Sequence, residues 1–139
     1  MASATNVQQV VPFFMVSNME ASLRFYVEGL GFEMANHWID EGKLRWCWLK
    51  LGGAALMLQE SRRPFPSHPG EGVSINFICD DALAIYHEAK SRGIDASTPF
   101  VGNAMWVTMI RDPDGYKLDF ESSTDVPEET VYTGPAFPK

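Results

Sequence analysis

The strongest constraint on this chain is an order of elements that occurs twice. Strand-like stretches and one helical stripe follow each other in the same order on either side of a proline-rich break. Residues 7–16 are rich in β-branched and aromatic side chains and read as a strand, with Pro12 at an edge or sheet opening. Ser17 and Asn18 offer helix caps. Met19, Leu23, Tyr26, Val27 and Leu30 then form one stripe of a helix about three turns long, stopped by Gly29 and Gly31. Residues 32–40, 44–51 and 54–60 read as three strands, parted by Glu41-Gly42-Lys43 and Gly52-Gly53. Residues 61–72 hold Pro64, Pro66, Pro69, two glycines and Arg62-Arg63, which is linker chemistry.

The order then repeats. Residues 73–79 are strand-like, and Asp81 caps a helix over residues 82–91 with Leu83, Tyr86 and Ala89 inward. Residues 96–101, 105–111 and 116–122 read as strands. Asp112-Pro113-Asp114-Gly115 is a tight turn between the last two, with Pro at its second position and Gly free to take the left-handed conformation after it. The expected fold is α+β: two tandem β-α-β-β-β modules of about 50 residues each. Module one covers residues 7–60, the linker 61–72, module two 73–122, and a tail 123–139 with Pro127, Pro135 and Pro138 is expected to pack on a partner subunit. A chain of 139 residues, 45% of them apolar, suffices for one domain with one core and is not the composition of a disordered protein.

Eleven Lys and Arg oppose eighteen Asp and Glu, for a net charge of −7. Such a chain repels phosphate backbones, so no nucleic-acid partner is expected. Residues 1–72 are nearly balanced at 6 basic and 7 acidic groups, whereas residues 73–139 carry 5 and 11. That excess either attracts a cationic small molecule or serves solubility. No apolar run reaches the roughly 20 residues of a membrane span, so no membrane is expected. Residues 1–9 lack the basic start and apolar core of a secretory signal. A cytoplasmic protein is the expectation, and two reduced thiols, Cys47 and Cys79, on strand-like runs fit it.

Two signatures resemble the vicinal oxygen chelate superfamily, which contains glyoxalase I, extradiol dioxygenases, fosfomycin-resistance enzymes and bleomycin-resistance proteins. One is Val16-Ser17-Asn18-Met19-Glu20-Ala21-Ser22-Leu23-Arg24-Phe25-Tyr26 followed by Leu30-Gly31-Phe32. The other is Arg111-Asp112-Pro113-Asp114-Gly115-Tyr116 leading into Leu118-Asp119-Phe120. Taken as residues, Phe25, Tyr26, Leu30 and Phe32 are a helix-to-sheet core and the turn is a hairpin device. They identify a scaffold and carry no chemistry. The resemblance implies sheets that curl into a cup with the helices on the outer face. It also implies a homodimer in which a second chain completes each cup.

The superfamily's enzymes place His, Glu or Gln at four cup-facing strand positions. Carried over by the flanking motifs, these fall at Val11, Met57, Ser74 and Asp119. A divalent cation prefers imidazole nitrogen or carboxylate oxygen, and only Asp119 supplies one. A shift of one residue offers Glu60 or Glu121 but no histidine; those stand at 37, 68 and 87. No metal and no other cofactor is therefore expected. The resemblance narrows to the branch of bleomycin-resistance proteins, which bind a ligand without a metal and do no chemistry on it. The alternative is a glyoxalase- or dioxygenase-like lyase or isomerase with a divergent metal site using Glu60 and Glu121, or with Asp119 as a lone base.

The chain holds four tryptophans, Trp38, Trp46, Trp48 and Trp106, each on an expected strand. Trp46 and Trp48 share a face by alternation, and that face is either the cup or the helix-packed core. Aromatic faces stack on planar groups and attract cations. The candidate ligand-binding residues are Phe13, Trp38, Trp46, Trp48, Met57, Asn76, Trp106 and Asp119. They would hold an aromatic or cationic antibiotic-like small molecule.

Overall fold

The structure is a computed structural model that describes residues 6–134. Strand β1 (Phe13–Val16) leads into α1 (Met19–Leu23), which continues as a π-helical turn, Arg24–Gly29, and then into β2 (Glu33–Asp40), β3 (Lys43–Leu51) and β4 (Ala54–Glu60). After the linker come β5 (Ser74–Ile78), α2 (Ala82–Ser91), β6 (Phe100–Gly102), β7 (Met105–Arg111) and β8 (Lys117–Ser123). The two four-stranded sheets have the orders β1-β4-β3-β2 and β5-β8-β7-β6. In each, the first strand runs parallel to the last, and the other neighbours are antiparallel. This is the α+β pair of β-α-β-β-β modules that the duplicated order of elements implies.

The expected helix caps form: Asn18 Oδ1 accepts from the Ala21 N–H and Asp81 Oδ1 from the Ala84 N–H, both at 3.0 Å. Glu60, at the end of β4, seals the start of α1 by accepting from the Met19 N–H at 2.8 Å while Lys43 Nζ lies 2.5 Å away. Burial alone would raise the Glu60 carboxyl, but Lys43, the Met19 N–H and Arg45 outweigh it and hold it below its ordinary value.

Three sequence expectations are corrected, and the near part of the tail is placed. Residues 7–12 are exposed or half-buried and form no strand; β1 begins only at Phe13. The first helix is not α-helical throughout, because the Leu30 N–H donates to the Phe25 carbonyl five residues back. Of residues 96–99 only Ala96 bridges, to Ile110, and the strand starts at Phe100. The described part of the tail packs on its own chain: Val101 N–H donates to Thr130 O, Tyr132 N–H to Pro99 O, and Val131 bridges Phe100. Pro135 and Pro138 lie outside the described residues.

The same tail explains a strained hairpin. Asn103 and Ala104 join β6 to β7 with φ of 52° and 61°. The Glu128 carboxylate accepts from both their N–H groups, at 2.8 and 2.9 Å. Alanine is disfavoured there by its Cβ. Ala104→Gly is therefore expected to stabilise the chain by about 0.5–1 kcal/mol in urea unfolding. A loss of stability would contradict the assigned turn.

One apolar cluster draws on both modules, from Phe14, Val16, Cys47, Leu49, Leu56 and Leu58 in the first sheet to Phe77, Ile110, Leu118 and Phe120 in the second. The Asp-Pro-Asp-Gly turn fastens the modules together. Asp112 Oδ1 accepts from the Asp114 and Tyr116 N–H groups at 2.9 Å, and its Oδ2 from the Tyr26 hydroxyl at 2.8 Å. Ser17 donates its N–H and hydroxyl to Asp114, and the Tyr116 hydroxyl donates to Met15 O at 2.7 Å. Burial raises the Asp112 carboxyl despite these donors. Burial, then the adjacent Asp112 charge, pushes the Tyr26 hydroxyl far up.

Candidate functional site

Paired residues in a sheet share a face, so register sorts the candidate side chains. In the first sheet one row runs Phe13–Met57–Trp48–Asn36, and the next runs Met15–Gln59–Trp46–Trp38. The opposite face carries Phe14, Leu58 and Cys47, which are core. Trp46 and Trp48 therefore lie on the face turned away from the core, and the face left open by alternation is decided. Phe13 and Trp38 remain 47% and 49% exposed, so this aromatic surface has no cover among the described residues.

The open face of the second sheet is polar at its linker end and turns apolar towards β6. Its rows are Ser74–Lys117–Arg111, Asn76–Asp119–Met109 and Ile78–Glu121–Val107–Phe100. Asp119 is the unusual member. Its side chain is only 9% exposed, Oδ2 lies 3.4 Å from Lys117 Nζ, and Oδ1 has no hydrogen-bond partner among the described residues. A buried acceptor left without a donor is costly, and a ligand donor would relieve it.

Trp106 does not join this face. It pairs with Ser122 and Val101, on the helix side, and meets Tyr132 edge-on at 5.9 Å between centroids. Alternation along β7 gives the open face to Met105, Val107 and Met109 instead.

The four positions carried over from the metalloenzymes form two equivalent pairs. Phe13 pairs with Met57 as Asn76 pairs with Asp119, and Val11 and Ser74 each stand two residues before the first member. A branched alkyl group, a thioether, a hydroxyl and one carboxylate do not fit a divalent cation. Glu60 cannot supplement them, because it lies on the helix side against Met19 and Lys43. Among the described residues no three His, Cys, Asp or Glu side chains converge on one point. His87 is engaged by the Tyr132 hydroxyl at 2.9 Å, away from both open faces.

Burial raises both thiols, Cys47 to about 11, and both are free. Neither is a ready nucleophile at neutral pH. No helix among the described residues is long and apolar enough to cross a membrane.

Among the described residues, cavities adjoin the open faces. One of 870 Å³ runs along the free edge of β5 between Val10, Pro12, Ala55, Ile78 and Ile85. One of 630 Å³ lies between residues 67–73 of the linker and the row Ser74–Lys117–Arg111.

Solved structures share this architecture. TnmS3, an antibiotic binding protein from Streptomyces sp. CB03234, is 24% identical, with a TM-score of 0.65 over 84% of this chain and 98% of its own. TioX from Micromonospora sp. ML1 is 16% identical, with a TM-score of 0.67 over 84% and 98%. A putative glyoxalase family protein from Bacillus anthracis is 19% identical, with a TM-score of 0.66 over 86% and 98%. At these identities the likeness concerns the fold. No curated protein matches the sequence. A family model described as Glyoxalase/Bleomycin resistance protein/Dioxygenase superfamily matches residues 7–120. With that match over most of its length and the paired modules in place, the chain belongs to the glyoxalase/bleomycin resistance protein/dioxygenase superfamily.

Proposed function

We propose that the protein binds an aromatic or cationic antibiotic-like small molecule without a metal, and sequesters it rather than transforming it. The observation that carries this reading is the register that sets Phe13, Met57, Trp48, Trp46 and Trp38 on one open face, with Asn76 and Asp119 abreast on the other. A wall of indole rings and a thioether suits a flat apolar body. The unpartnered Asp119 Oδ1 suits an ammonium or other N–H donor. The description of TnmS3 as an antibiotic binding protein supports the same class of ligand.

Neither wall is a cup alone. Both sheets turn their other faces into one shared core, which leaves Phe13, Trp38, Ile78 and Phe100 exposed on the outward faces. A homodimer that sets the aromatic face of one copy against the polar face of the other covers this surface and encloses the ligand.

The test is titration with bleomycin and with the planar cation ethidium, read by tryptophan fluorescence and thermal shift. The expected outcome is quenching together with a raised melting temperature, since a ligand that prefers the folded state stabilises it. Asp119→Asn is expected to weaken ethidium by about tenfold while leaving quenching by neutral aromatics in place. Sedimentation of the same samples is expected to give a dimer at micromolar concentration. A monomer, or the absence of any shift at high ligand, contradicts the reading.

A further inference from the structure

The cavity of 630 Å³ beside the linker presents an arrangement that the aromatic wall does not explain. Arg111 and Lys117 are direct partners across β7 and β8, on the open face of the second sheet. Like charges directly opposite each other on a sheet are unfavourable. Lys117 has the Asp119 carboxylate at 3.4 Å. Among the described residues Arg111 donates to the Gly115 carbonyl, at 3.0 Å, and no carboxylate lies within ion-pair distance of it.

The cavity wall facing this pair is built to come close. Gly70 has φ +69°, and a Cβ there would stand 2.7 Å from the Tyr116 ring. Only glycine lets the linker pack down at that point, and it carries Ser67 and His68 into the cavity lining, opposite Ser74. Neither acid of the lining lies within ion-pair distance of Arg111: the Asp114 carboxylate turns to the Ser17 N–H and hydroxyl, and Glu71 is exposed on the loop.

We infer that this cavity is an oxyanion subsite, in which Arg111 and Lys117 take a carboxylate or phosphate group, with hydroxyl and imidazole donors from Ser67, Ser74 and His68 around it. The subsite deepens the cup reading and rests on it for one step only, that the anion belongs to the same molecule as the aromatic body. The ligand then carries an acidic group one residue pair beyond Asp119, at the linker end of the polar wall.

Inorganic phosphate at constant ionic strength is the first probe, read by thermal shift. It is expected to raise the melting temperature above that in matched chloride. Arg111→Gln is expected to weaken phosphate by about tenfold, and Arg111→Lys by less. Without phosphate, Arg111→Gln is expected to be at least as stable as the parent, because a like-charge pair is removed. A merely structural arginine gives the opposite sign, and Lys117→Gln is the second variant should Arg111→Gln fail to fold.

Benzoate, phenyl phosphate and neutral benzyl alcohol then distinguish a carboxylate from a phosphate on an aromatic body. No phosphate effect beyond chloride, or equal destabilisation of Arg111→Gln with and without phosphate, overturns the subsite. A phosphate effect without binding of any aromatic probe leaves the subsite standing and overturns the cup. Aromatic binding without a phosphate effect does the reverse.

Discussion

Phe120→Ala is expected to cost about 3–5 kcal/mol of stability, the largest effect of any single truncation proposed for this chain. Phe120 is 2% exposed and stacks on Phe77 at 4.8 Å between centroids. Phe77 meets Phe32 edge-on at 6.1 Å, and Phe32 meets Tyr26 at 5.5 Å. This file of rings crosses from the second sheet to the first helix, so truncation opens an apolar void where the modules meet. Loss of that much from a domain of ordinary stability leaves little margin. Phe120→Leu keeps most of the volume and is expected to cost less than about 1.5 kcal/mol. Urea unfolding of both measures the difference. Equal costs would mean that the void is not what matters. Phe120 also adjoins Asp119 on the opposite face of β8, so the alanine variant should weaken ethidium as well.

Tyr26→Phe is expected to cost about 2 kcal/mol near neutral pH, because it strips a buried carboxylate oxygen of its donor. The Tyr26 hydroxyl donates to Asp112 Oδ2 at 2.8 Å, across a sequence separation of 86. Burial already raises the Asp112 carboxyl above its ordinary value. Stability from a group raised in the folded state is fully present below its unfolded pKa and is lost as pH rises through the folded one. Removing the tyrosine donor raises Asp112 further. The deficit of Tyr26→Phe should therefore shrink towards pH 4 and grow as pH rises above it. Asp112→Asn is expected to be milder, since an amide accepts from the Asp114 and Tyr116 N–H groups through its oxygen and donates to the Tyr26 hydroxyl through its nitrogen. Urea unfolding across that pH range checks the sign. A deficit that grows in acid contradicts the assigned role of Asp112.

Much of the scaffold is written locally. The bounds of β4, α2 and β7 coincide with their sequence readings, because each has a capping residue or a glycine turn at its ends. The parts that were not legible depend on partners distant in sequence. Residues 7–12 have strand composition, but continuing the register of β1 would set Gln9 opposite Gly53, where the chain turns away. Asp112 reads as a hairpin residue because its partner Tyr26 lies far upstream. The face of Trp46 and Trp48 follows only once β3 is registered on β4, and Trp106 falls on the other side because β7 pairs Trp106 with Ser122. The cationic pair Arg111 and Lys117 escaped the sequence reading for the same reason. Their spacing across the turn marks them as neighbours only if the hairpin closes on Asp112 to Gly115, and the linker wall opposite them cannot be read from composition.

The most direct test is calorimetric titration of ethidium into protein dialysed against a chelator and checked for metal by elemental analysis. Saturable binding with unchanged affinity after chelation, lost on replacing Trp46 and Trp48 with alanine, is the expected result. Stoichiometric zinc, manganese, nickel or iron in the protein as purified, with binding abolished by its removal, would contradict the account.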